Sequence, residues 1–202
     1  MKRLALLLAA LLPGVAAAAE NLQDVMAILA RHAVVRADYT QRKHVAGRKH
    51  DFLSSGALVF VRHQGVLLTM KSPATSQLVM TAATIVVRTA RRTTRINPAQ
   101  SPFGPAAMVF GQLAGGDLQL LQQNFAVASL ATHDGSWHLQ LKPLAAPMKK
   151  ALASLELAGD EYLRTITLVD PRGGQVALQL DHHQTQPDTL GTDELELFHL
   201  AQ

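Results

Sequence analysis

GALVFVRHQGVLLTMKSP, residues 56–73, decides the fold. Ala57-Leu58-Val59-Phe60-Val61 and Val66-Leu67-Leu68-Thr69-Met70 are apolar at nearly every position, and Arg62-His63-Gln64-Gly65 separates them. The pattern is two strands joined by a turn, with both sheet faces greasy rather than one. Two readings of the second face follow: helices cover it, or it lines a pocket for a long apolar molecule. Burying an unpaired guanidinium is costly, so Arg62 belongs at a strand end where its head reaches carbonyls or water.

The same short segments recur outward from this hairpin, with β-branched residues, period-two alternation and Gly, Pro or Asp turns. Strands are predicted over 36–42, 56–62, 65–71, 77–81, 85–90, 93–96, 125–131 and 137–142, then over 152–157, 163–169, 175–181 and 194–200. Asp170-Pro171-Arg172-Gly173-Gly174 and Ala158-Gly159-Asp160-Glu161 carry reversing residues, which argues for antiparallel sheet. In the last segment Leu195 and Leu197 alternate with Glu194 and Glu196, giving one apolar and one wet face. Asn21 is placed to cap a helix running to about His32, with Leu22, Val25, Met26 and Leu29 on one face. Otherwise helix is expected only in the insert 97–124, as two short apolar helices joined by Gly115-Gly116.

Met1-Lys2-Arg3, the apolar run Leu4 to Leu12 and Ala16-Ala17-Ala18-Ala19 have the parts of a cleavable secretory signal over 1–19, followed by one domain over 20–202. Such a leader, without a cysteine to lipidate, points to the periplasm. There is no cysteine anywhere, so disulfides and thiolate metal sites are excluded. Losing Lys2 and Arg3 leaves the remainder nearly neutral, and Arg88, Arg91, Arg92 and Arg95 form the one dense basic group. With no aromatics interleaved there to stack bases, nucleic acid is not an expected partner. A solvated hairpin or a partner-docking cluster both fit. Aromatics make up only 4% of the chain, so aliphatic side chains must fill the interior.

Catalytic chemistry finds little support. Nine histidines include no metal-binding spacing, and His182 and His183, adjacent on a predicted strand, point to opposite faces. Ser136 sits in Gly135-Ser136-Trp137, a hairpin turn and not a nucleophile elbow. Neither catalytic residues, nor a metal, nor a cofactor is expected.

The chain resembles the LolA family of periplasmic lipoprotein carriers. The resemblance rests on Tyr39-Thr40-Gln41 after an amphipathic helix, on Gly56-Ala57-Leu58 running to Arg62, and on Leu68 and Pro73 beyond. Pro102-Phe103-Gly104 and the strand–turn–strand around Asp170 to Gly174 extend it. It implies an α+β fold, a curved antiparallel half-barrel sheet covered by a helical lid, with acyl chains held between sheet and lid. Leu58, Phe60, Leu68, Met70 and Val79 are the candidate cavity wall, and Met26, Leu29, Met108, Val109 and Phe110 the candidate lid. The family's arginine at the position of Arg62 bonds to the lid and helps set its closed state, so Arg62 is read as a lid latch beside the plainer reading of a solvated turn arginine. The implied partners are an acylated lipoprotein or other lipid cargo, an inner-membrane transporter as donor and an outer-membrane acceptor, with the chain a monomer. Where the family carries Arg-Pro this chain has Arg62-His63, Leu68 stands at a tryptophan position, and Ile85-Val86-Val87 replaces an aromatic pair. These departures suggest a paralogue with a different lipid cargo. The alternative function is an envelope lipid or lipoprotein sensor that regulates a membrane partner.

Overall fold

The computed structural model describes residues 21–101, 104–115 and 118–202. The leader expected over 1–19 and the pair Pro102-Phe103 lie outside them. Asn21 caps α1, Leu22–Leu29, accepting from the Asp24 amide while Asp24 returns a bond to the Asn21 amide. A six-strand meander follows: β1 (Val34–His44), β2 (Phe52–Val61), β3 (Gly65–Ser72), β4 (Ser76–Met80), β5 (Ile85–Arg88) and β6 (Thr93–Ile96). The insert then forms α2 (Gly104–Gly115) and α3 (Leu118–Asn124). A second meander comprises β7 (Phe125–His133), β8 (Ser136–Pro143), β9 (Ser154–Gly159), β10 (Leu163–Val169) and β11 (Gln175–Gln184), with α4 (Ala146–Ala151) between β8 and β9. α5, Thr192–His199, closes the described chain.

The strands form one open antiparallel sheet, ordered β6-β5-β4-β3-β2-β1-β11-β10-β9-β8-β7, whose two meanders meet along β1–β11 with Tyr39 opposite Leu180. Laid flat, β4 and β7 would stand about 38 Å apart at ~4.8 Å per step. Yet α2 packs on β3 and β4, α3 packs on β7, and the two helices touch. The sheet must therefore curl around them. Register carries an apolar row across its concave face, Leu139 opposite Leu157, Leu157 opposite Ile166 and Ile166 opposite Leu178, all buried.

Gly56 shows how tightly the curl is made. A Cβ there would run into the Thr69 carbonyl of β3, and Tyr39 lies opposite it on β1, its ring filling the concave side. The hairpin of β2 and β3 is greasy on both faces because both are covered. Leu58, Phe60 and Leu68 turn inward, whereas Val59, Val61 and Leu67 join Val79 and Val86 beneath Leu197 and Phe198 of α5.

Two expectations need correction. Residues 194–200 are not a strand: the buried Leu197, Phe198 and Ala201 recur at helical spacing, and Leu195, expected on the apolar face, is 42% exposed. Glu194 and Glu196 consequently do not share a wet strand face but reach to opposite flanks, Glu194 to Arg36 on β1 and Glu196 to Arg88 on β5. The strand expected over 152–157 begins instead at Ser154, because Ala146 to Ala151 form α4, with Met148 as its buried anchor.

Candidate functional site

The concave face and α1 enclose an apolar cleft. β1 contributes Val35 and Ala37, β2 Leu58 and Phe60, β10 Ile166 and β11 Leu180. Ile28 and Leu29 of α1 and Phe110 of α2 form the roof. The lining is apolar except at one end, where His32, Glu161, Tyr162 and His183 meet solvent. About 40 Å³ of the cleft is free, room for a water or two and far below the ~300–1,000 Å³ of an ordinary ligand pocket. The cleft is closed because the helices occupy it.

At that end the turn after β2 is hydrogen-bonded to the ends of both roof helices. The Arg62 guanidinium donates through Nη1 to the Ala30 carbonyl at 2.8 Å, and the Arg62 amide donates to the Ala33 carbonyl at 2.9 Å. The His63 amide donates to the Ala114 carbonyl of α2 at 2.6 Å. Two consecutive residues thus satisfy carbonyls at the ends of two different lid helices, groups that helix geometry leaves without partners. His63 does so in the left-handed region, at φ 63°. Proline can neither adopt that φ nor donate that bond. The arginine in the apolar stretch therefore lies where the end of the sheet meets the ends of α1 and α2.

Beside the turn stands a stack of rings. Tyr162 lies between His32, from the segment after α1, at 5.9 Å between centroids, and His183 of β11 at 4.9 Å. His183 Nε2 sits 2.9 Å from the Leu163 carbonyl, which can only accept, so it carries the hydrogen. Nδ1 sits 3.1 Å from Arg164 Nη1, which can only donate, so it is the acceptor. This is neutral imidazole. Burial pushes its pKa below the usual histidine value, assisted by the Arg164 charge and opposed by the Leu163 bond. Burial would raise the Asp160 carboxyl, but the Tyr162 amide and Arg164 outweigh it and hold the pKa low.

Of the residues expected to form the site, Leu29, Leu58, Phe60 and Phe110 line the cleft, with Met26, Leu68 and Val109 in the buried layer next to it. Met70 lies at an inward register position opposite Gly56, outside the cleft. Val79 is displaced: its partner across β3–β4 is Leu67, so it faces outward under α5. One step of strand phase moved it to the wrong side. Met108 is on the lid helix, but its side chain is 36% exposed. Most of the lining was missed by sequence reasoning, and apart from Ile28, His32 and the turn residues Glu161 and Tyr162 it comes from β1, β10 and β11. Val35, Ala37, Ile166 and Leu180 carry the right alternation, yet only the long-range pairing of β1 with β11 brings them together. His182 and His183 do diverge, His182 toward Asp38 on the outer side and His183 into the cleft mouth. Among the described residues, no group of three His, Asp or Glu is placed to hold a metal, and no helix is long and apolar enough to cross a membrane.

Comparison with known proteins supports the architecture. Residues 14–184 match the family of outer membrane lipoprotein carrier protein LolA-like chains. No curated protein matches by sequence. Among solved structures, a domain from Vibrio parahaemolyticus assigned to outer membrane lipoprotein sorting aligns over 88% of this chain and 97% of its own, at 10% identity and a TM-score of 0.50. A LolA superfamily protein from Nitrosomonas europaea aligns over 85% and 94%, at 10% identity and a TM-score of 0.48. With most of its length inside the family match, this chain belongs to the LolA-like outer membrane lipoprotein carrier protein family.

Proposed function

We propose that the chain is a non-enzymatic carrier that shields acyl chains of a lipoprotein or another lipid between its sheet and α1–α3 as they cross the periplasm toward the outer membrane. The observation that carries this reading is the cleft, apolar along its length with polar groups gathered at its mouth. Each methylene withdrawn from water contributes about 0.8 kcal/mol, so a long acyl chain needs such a shelter to cross an aqueous space. The leader over 1–19 would deliver the chain there, to act as a monomer between an inner-membrane donor and an outer-membrane acceptor. His63, Leu68 and Ile85-Val86-Val87, where the family pattern differs, favour a cargo other than the usual lipoprotein.

In this reading Arg62 is the latch, its bond to Ala30 being broken when cargo enters. The test is native mass spectrometry of protein purified from its own periplasm, alongside uptake of a fluorescent acyl probe. Bound lipid and saturable uptake are expected, with uptake falling about tenfold in Leu29→Arg, which puts a charge into the roof at a half-buried position. Absence of lipid together with no uptake by the unmodified protein overturns the reading.

A further inference from the structure

The strand connections distribute charge unevenly along the molecule. At one strand end lie the mouth of the cleft and charges of both signs, the acids Asp134, Asp160 and Glu161 beside Arg31, Arg62 and Arg164, with Asp160 paired to Arg164. The other end carries the connections 45–51, 73–75, 89–92, 144–153 and 170–174, which register places together: His44 opposite Gln175, Ser55 opposite Ser72, Gln77 opposite Arg88 and Ser154 opposite Val169. This end is cationic. The hairpin of β1 and β2 exposes Arg42, Lys43, Arg48 and Lys49, and its neighbours expose Lys71, Arg172, Arg91, Arg92, Lys149 and Lys150. Its acids are fewer: Asp51, which bonds His44 at 2.9 Å and lies 3.9 Å from Arg42, and Asp170, whose carboxylate accepts from the Arg172 amide.

Apolar side chains protrude from the same hairpin. Pairing of β2 with β3 stops at Ser55, so Phe52 and Leu53 project past the neighbouring strand, 56% and 66% exposed. Each faces a cation across the hairpin, Phe52 opposite Lys43 and Leu53 opposite Arg42. Successive strand residues point to opposite faces, so a flat protein surface could cover only one of the two. A fluid interface that surrounds the tip covers both, and anionic head groups meet the ring of cations.

We propose that this end of the sheet docks on an anionic phospholipid bilayer, with Phe52 and Leu53 inserted. Phe60, at the mouth end of the same strand, lies eight residues from Phe52, about 26 Å away at ~3.3 Å per residue. Docking therefore holds the cleft mouth away from the bilayer, which is independent of whether the cleft carries lipid.

The test is flotation of the purified protein with vesicles of equal parts phosphatidylcholine and phosphatidylglycerol, against pure phosphatidylcholine. Partition at least tenfold higher on the anionic vesicles, falling as salt is raised, is expected. Arg48→Glu with Lys49→Glu should lower it more than tenfold, at about fivefold per charge. Phe52→Ser with Leu53→Ser should lower it about tenfold while leaving thermal stability and acyl-probe uptake unchanged. In Phe52→Trp the added indole emission should shift to the blue on anionic vesicles. Equal partition on neutral vesicles, or no blue shift, overturns the proposal. So does binding that ignores the Phe52 and Leu53 substitutions and is competed by soluble polyglutamate, which would assign the surface to an acidic polypeptide.

Discussion

Arg62 and His63 act on the lid through different atoms, so their substitutions should separate. Arg62→Leu removes one side-chain bond to Ala30 and leaves both backbone bonds of the turn, and it should cost about 1 kcal/mol without changing the fold. His63→Pro restores the dipeptide that the family pattern carries, yet here it deletes the bond to Ala114 and forbids a φ of 63°, at an expected cost of about 3 kcal/mol. His63→Gly keeps the amide and suits that φ, so it should stay within about 1 kcal/mol of the parent. Urea denaturation of the three variants checks the order. Were His63→Pro neutral, the turn would not be clamping α2. Sequence reasoning placed Arg62 at a strand end on the cost of burying a charge. It could not reach the His63 contact, because a backbone bond to residue 114 leaves no mark in side-chain chemistry.

Among the elements, α5 departs most from expectation. Glu-Leu-Glu-Leu over 194–197 has the period of a strand, but only four residues carry it. The stronger signal was Leu197, Phe198 and Ala201, joined to Glu194, whose side chain receives the Gly191 amide ahead of the first turn. Arg36 holds α5 in place, giving Nε and Nη2 to the two Glu194 oxygens at 2.9 and 2.6 Å and bonding the Pro187 and Thr189 carbonyls of the approach. Its charge-assisted hydrogen bonds hold the Glu194 carboxyl below the ordinary glutamate value, outweighing the effect of burial. A depressed carboxyl pKa contributes stability above the unfolded value, near 4.3, and loses it as pH falls through the folded value. Glu194→Gln should therefore cost about 1–2 kcal/mol at neutral pH, discounted for partial exposure. It should also flatten the loss of thermal stability below about pH 4. An unchanged acid limb in calorimetry would remove the pair from any role in seating α5.

For the whole molecule, the closed cleft sets what binding must do. With about 40 Å³ free, an acyl chain cannot enter a static interior, so the roof must leave its seat. α1 is the element suited to move: it is a short helix resting on the cleft, tied at its end by the Arg62 bonds. Loading with a long-chain acyl probe should speed amide hydrogen exchange in α1 while leaving β8–β10 unaffected. Exchange rates in α1 that do not respond to saturating probe would mean that the cleft is core and not container. The antiparallel sheet and the helices were legible in the chain because alternation, turn residues and capping are local, whereas the curl and the helical cover came only as an implication of the resemblance to the LolA family. The lining was legible only at Leu58 and Phe60 of β2, Leu29 of α1 and Phe110 of α2. The residues from β1, β10 and β11 depend on which distant strands are neighbours.

That dependence also gives the fold an order in time. Pairings within each meander join consecutive strands and close short loops, whereas β1 meets β11 only after the whole of the intervening chain is available. A chain made or exported from its N-terminus can zip β1 to β6 early, but one margin of β1, Asp38 to His44, stays unpaired until residues 175–181 arrive. Until then the molecule has half a wall and no enclosed interior. The late seam decides when a container exists at all, so substitutions along Tyr39 and Leu180 should register first as slow maturation.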